Sequence, residues 1–238
     1  MLPTSISPNT IVQAIAEIRF ESAIPQDAVF GQVYAAFSKE YPTVRPLDIL
    51  NLPLQIRESN PELAFSATHQ MLGSGYFLQV GPRVFHVAIS GNYTRWSDFR
   101  SRIMEAYGRI HSLPLVSRVV RTSLRYMDFF EGDVLPKLQT SFSLEDHTIA
   151  GRETMFRTVY PSHGFDTILQ INNTSARVVD GAVTQGSVTD IDVLAVSNPD
   201  EVFTNTEDLL QRMHLCGKTI FFSLLKPDFL KTLNPTYE

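Results

Sequence analysis

The chain has 238 residues, 43% of them hydrophobic and 19% charged, and a net charge of −5. It is long enough to bury a sizeable core and too apolar for the disordered class. Cys216 is its one cysteine, which excludes an internal disulfide and any multi-cysteine zinc or iron–sulfur centre.

The opening MLPTSISPNT has neither the basic nor the apolar region of a signal peptide, so a cytoplasmic protein is expected. The longest apolar runs, such as TIFFSLL, fall short of the ~20 residues of a membrane span, and no membrane partner is expected. VQAIAEIRF alternates Val12, Ala14, Ala16, Ile18 and Phe20 with Gln13, Glu17 and Arg19, the period of a strand with one buried face. In IPQDAVFGQVYAAFSKEYP, Val29, Val33, Ala36, Phe37 and Tyr41 fall at helical spacing, and Pro42 closes the predicted helix. LAFSATHQ, YFLQVG and VFHVAIS read as three strands, turned by GSG and by Gly81-Pro82. A second helix is predicted from Asn92 with Thr94 as N-cap, its apolar face running from Trp96 through Phe99, Ile103, Ala106 and Tyr107 to Ile110.

SRVVRTSLRYMDFF predicts a strand and VLPKLQTSF a short helix or loop. RTVYPS, FDTILQINN, ARVVDGAV and SVTDIDVLAV predict four strands, with Gly- and Asn-containing turns between them. Thr204 or Thr206 then caps a helix through LLQRMHLCGKTIFFSLL, and PDFLKTL follows with Pro227 in its first turn. Residues 1–114 and 115–238 thus repeat one order: strand, helix, antiparallel strands, helix. The expectation is an α+β protein of two pattern-related halves sharing a core, countable as one domain, with helices on one face of antiparallel sheet.

Charge is unevenly spread. Residues 95–125 hold seven arginines (Arg95, Arg100, Arg102, Arg109, Arg118, Arg121, Arg125) against Asp98 and Glu105, in an otherwise acidic chain. Such a segment either binds an anionic partner or meets carboxylates of its own chain; the second needs no ligand and is the expectation. Strand alternation puts Arg121 and Arg125 on one face of RTSLRYMDF, and Asp190 and Asp192 on one face of TDIDVL with Ile191 and Val193 opposite. A structural ion network of Arg121, Arg125, Asp190 and Asp192 follows. The rival reading gives the two aspartates a divalent cation for phosphoryl chemistry, yet neither a third oxygen ligand nor a phosphate cradle is evident.

No catalytic residue, metal ligand or cofactor is assigned. The chain has no P-loop, dinucleotide fingerprint, nucleophile elbow or HExxH motif. Its six histidines show no paired ligand spacing; His69 and His86 are expected to neighbour each other across strands in a structural role. His214 and Cys216, two apart on a helix, do not face each other.

In the second helix Arg95, Arg102 and Arg109 recur every seventh residue beside Trp96. The plain reading is a solvated cationic back. The sharper one makes Arg95, Trp96, Arg102 and Arg109 a docking surface for an acidic protein, since arginine and aromatics are enriched at interfaces. Overall acidity and the lack of lysine clusters weigh against nucleic acid.

AEIRF, Tyr93-Thr-Arg-Trp96, SLRYMDF, the DID strand and the LH of the last long helix occur in an order that resembles a sporadically distributed bacterial family of unassigned activity. The resemblance covers nearly the whole chain. It implies a scattered, defence-associated genomic setting and supplies no catalytic residues. The expected function is therefore that of a non-catalytic accessory protein acting through protein contacts, possessing a place in a bacterial defence or stress module (including CRISPR-associated systems). Its expected partner is another protein, a larger complex or an effector of the same gene neighbourhood, and a homodimer is compatible with the sequence. The rivals are a metal-dependent enzyme using Asp190 and Asp192 on phosphorylated substrates, and a nucleic-acid-binding regulator using the Arg95–Arg125 segment.

Overall fold

The computed structural model describes residues 1–61, 63–89, 93–141, 143–145, 147–148, 153–179, 181–196 and 200–237. In chain order these form β1 (Ile11–Ser22), α1 (Gln26–Phe37), β2 (Thr43–Pro46), a 3-10 turn (Asp48–Asn51), α2 (Leu54–Ser59), β3 (His69–Leu72), β4 (Tyr76–Gly81) and β5 (Val84–Ile89). Then come α3 (Trp96–Ser112), β6 (Val116–Glu131), a 3-10 turn (Leu135–Lys137), β7 (Ser143–Leu144), β8 (His147–Thr148), β9 (Met155–Ser162), β10 (Phe165–Val179) and β11 (Ala182–Ala195). The last elements are α4 (Glu201–Thr204), α5 (Thr206–Leu224) and α6 (Pro227–Thr232). Nine strands pair in one antiparallel sheet in the order β2-β3-β4-β5-β1-β6-β11-β10-β9, so the fold is α+β. Among the described residues no helix is long and apolar enough to cross a membrane.

The chain divides into two compact units, one of Met1–Val12, Arg125–Val193 and His214–Glu238, the other of Gln13–Leu124 and Leu194–Met213. In the second of these, β1 buries Ala14, Ala16, Ile18 and Phe20, and its register sets Ile18 against Phe85 of β5. Phe85 contacts Phe37 of α1 and Tyr107 of α3, so both helices cover that face of the strands. In the first unit Phe130 of β6 contacts Phe221 of α5 and Phe229 of α6. Gly217 of α5 faces Ile191 and Val193, the apolar side of the DID strand.

Several boundaries differ from the sequence expectation. Helix α1 stops at Phe37, before Pro42, because the chain turns through Ser38–Glu40 to bury Tyr41 against Phe37. Residues 63–68 of LAFSATHQ are turn and loop; β3 begins only at His69. The N-cap of α3 is Arg95, not Thr94, whose hydroxyl instead reaches Asp98 Oδ2 at 3.5 Å. The expected helix start at Asn92 lies outside the described residues. FDTILQINN and ARVV are one strand, β10. Its Asn172 side chain accepts the Thr174 backbone N–H at 2.8 Å, satisfying the backbone locally without turning it. Gly186 likewise makes no turn. It lies inside β11, where a Cβ would collide with the Phe130 carbonyl and the Phe129 ring.

Candidate functional site

Every one of the seven arginines between Arg95 and Arg125 meets a carboxylate of its own chain. On β6, Arg118 grips Glu21 through two nitrogens, at 2.5 and 3.3 Å, in a bidentate pair. Arg125 does the same to Asp190, with Nε at 2.8 Å from Oδ1 and a terminal nitrogen on Oδ2. Arg121 does not join the aspartates. It donates to Glu17 on β1, a partner that strand order selects and that no local spacing reveals.

Glu17 is the hub of a polar row across the sheet face turned away from α1 and α3. It accepts from Arg19 at 2.8 Å and from Arg121, and its other oxygen lies 2.9 Å from His86 Nε2. His86 Nδ1 is 3.0 Å from Gln79 Oε1, and Gln79 sits opposite Gln70, which sits opposite Arg45. Burial alone would push the Glu17 carboxyl up. The hydrogen bond and charge of His86, with the charges of Arg121 and Arg19, outweigh it and hold the group well below the ordinary carboxylate range. His69 is no neighbour of His86: it pairs with Val80, faces the helices, and stacks on Phe30 at 3.9 Å.

In this arrangement Asp190 is not open to a cation. Asp190 is 5% exposed, and both its oxygens are occupied by Arg125. Among the described residues no group of three or more His, Cys, Asp or Glu gathers as a metal would need. The sequence reading passed over Asp128, also on β6. It is buried, accepts the Thr10 hydroxyl at 2.6 Å, and is raised to about 7. Burial is the main cause, the Thr10 bond opposes it and the charge of Asp190 adds to it. Its place inside an apolar strand pattern, SLRYMDF, was the available signal. His214 and Cys216 part company as expected, His214 against the Tyr126 hydroxyl at 3.1 Å and Cys216 against the Ser162 carbonyl at 3.5 Å.

The cationic side of α3 is likewise engaged. Arg95 meets Asp98 at 3.2 Å, and Arg102 meets Glu105 at 2.9 Å while lying over the Tyr76 ring. Arg109 binds Glu40 at 3.0 Å above Phe37. Arg100 reaches Glu207, and the Trp96 indole N–H donates to Gln211 at 2.8 Å. The four residues proposed for docking therefore lie along one helix, each with contacts inside its own unit.

A different surface carries four exposed apolar groups close together in sequence. Between β2 and β3, Leu50, Leu52, Leu54 and Ile56 are 36%, 39%, 44% and 48% exposed within seven consecutive residues. Large apolar side chains scattered singly over a surface are ordinary; a run of this kind is not. Beside it opens a groove of about 190 Å³, walled by Ile49, Leu54, Leu63 and Pro82 and edged by Arg57 and Arg83. Gly81 lets the Ser66–Ala67 backbone close over the sheet there, since a Cβ would collide with the Ser66 carbonyl oxygen and sit 3.0 Å from Ala67 Cα. The sequence reading made no assignment for residues 43–62, whose short elements lack a sustained period.

No protein-family model matches the chain. No curated protein matches it either.

Proposed function

We propose that this is a non-catalytic binding protein that acts through contact with another protein. The exposed apolar run Leu50, Leu52, Leu54 and Ile56 carries the reading, because four large apolar side chains left in solvent within seven residues, beside a groove, are a surface that a partner would cover. The proposal moves the docking surface from α3 to the α2 segment, since the α3 arginines already have carboxylate partners. A role as an accessory component of a bacterial defence or stress module, with a partner from the same gene neighbourhood, rests on the family resemblance alone. Neither the metal-dependent nor the nucleic-acid reading gains an observation: Arg125 occupies Asp190, and carboxylates neutralise the basic segment.

Affinity purification from the native host tests this, with the wild type, Leu54→Asp/Ile56→Asp and Arg95→Glu/Arg102→Glu run side by side. The expected result is a stoichiometric protein, identified by mass spectrometry, that is lost with the first variant and kept with the second. Recovery of nucleic acid, nucleotide or metal in place of protein would overturn the proposal.

A further inference from the structure

The groove beside α2 uses its charge differently from the Arg95–Arg125 segment. Its only charged walls among the described residues are Arg57 and Arg83. Among the described residues neither has a carboxylate partner, whereas every arginine from Arg95 to Arg125 has one. Both guanidinium groups are nevertheless held in place. Arg57 donates its Nε to the Leu52 carbonyl at 3.2 Å, and Arg83 lies over the Phe65 ring at 4.4 Å. The field of Arg83 reaches Glu21 and helps lower its pKa, but Glu21 itself is bound to Arg118.

Two oriented cations beside a trough of mixed apolar and polar lining set what fits. The trough is too small for a drug-sized ligand, whose sites run to roughly 300–1,000 Å³, and has room for protruding side chains. Gln26, Ser66 and Thr68 add neutral polar groups to the lining, and among the described residues no carboxylate lines it. We infer that the groove receives an acidic peptide segment of the partner protein: an apolar side chain enters between Ile49, Leu54, Leu63 and Pro82, and flanking carboxylates meet Arg57 and Arg83. This rests on the protein-binding reading above and adds the partner's chemistry to it. Fixed cations and a shaped trough reduce the ordering that binding would otherwise require, and rim charges confer partner discrimination.

Fluorescence anisotropy with pools of short labelled peptides tests the inference. One pool combines Asp and Glu with Leu, Ile and Phe; a second replaces the acids by Lys and Arg; a third keeps the acids with Ser and Gly. The first pool is expected to bind the wild type and the other two are not. Arg57→Glu/Arg83→Glu should weaken binding by roughly tenfold or more. Arg57→Lys/Arg83→Lys should keep most of it, and Arg177→Glu, one such reversal on the exposed end of β10, should keep all of it. Circular dichroism and thermal melts establish that each variant is folded. Equal binding of the basic or acidic–polar pool, binding unchanged by charge reversal, or no peptide binding would overturn the inference. So would a labelled oligonucleotide binding in place of peptide, or self-association that the charge reversal abolishes. If peptides fail while the purified partner is still lost with Leu54→Asp/Ile56→Asp, the acidic chemistry is wrong and the protein-binding reading stands.

Discussion

Asp128 and Glu17 show how two carboxyls on adjacent central strands take opposite electrostatic fates. Glu17 has three cationic or proton-donating neighbours and stays ionised; Asp128 is buried with one hydroxyl donor and the charge of Asp190 acting against its ionisation. Folding raises Asp128 from its ordinary 3.8 to about 7, so the folded chain holds a proton that the unfolded chain releases. That contribution to stability is complete below the unfolded value and is lost as pH rises towards about 7. Glu17, held below its ordinary range, has the reverse sign: its contribution is present at neutral pH and is lost on acidification through the folded pKa. Asp128→Asn keeps an oxygen for the Thr10 hydroxyl and removes the titration. Between about pH 5 and pH 8 the variant should gain on the wild type as pH rises, by on the order of 2–4 kcal/mol, in denaturant titrations at each pH. Parallel pH dependence in the two proteins would contradict the assignment.

Elements with a clear local signal were legible in the sequence: β1 and β6 by alternation, β4 and β5 as apolar runs bounded by turn residues, α3 by its stripe from Phe99 to Ile110. What local pattern could not carry was partner choice. Arg121 shares a face with Arg125, yet one meets Glu17 and the other Asp190, because β6 lies between β1 and β11. Asn172–Ser175 and Gly186 look like turn residues; the first is neutralised by a side-chain bond to its own backbone, and the second is required by close approach of the neighbouring strand. The α2 segment was silent for a related reason. Its elements are short, and backbone contacts such as Leu47 N–H to the Thr68 carbonyl at 2.9 Å tie them down. Gly81→Ala should therefore displace the Ser66–Ala67 backbone, lowering stability by about 1–3 kcal/mol and weakening partner capture by the adjacent groove. A denaturation midpoint equal to the wild type's, with capture intact, would show that the close approach is not needed.

At the scale of the whole molecule, the functional question turns on which surface contacts the partner. The sequence directs attention to α3, where arginines gather beside Trp96; the structure gives those arginines carboxylates and exposes the apolar run before and within α2. Hydrogen–deuterium exchange on the complex purified with its captured partner separates the two most directly. Strong protection of residues 49–57 and 63–68 relative to the free protein, with 95–112 unchanged, is the result predicted. Protection confined to 95–112 would contradict the account and return the docking surface to α3.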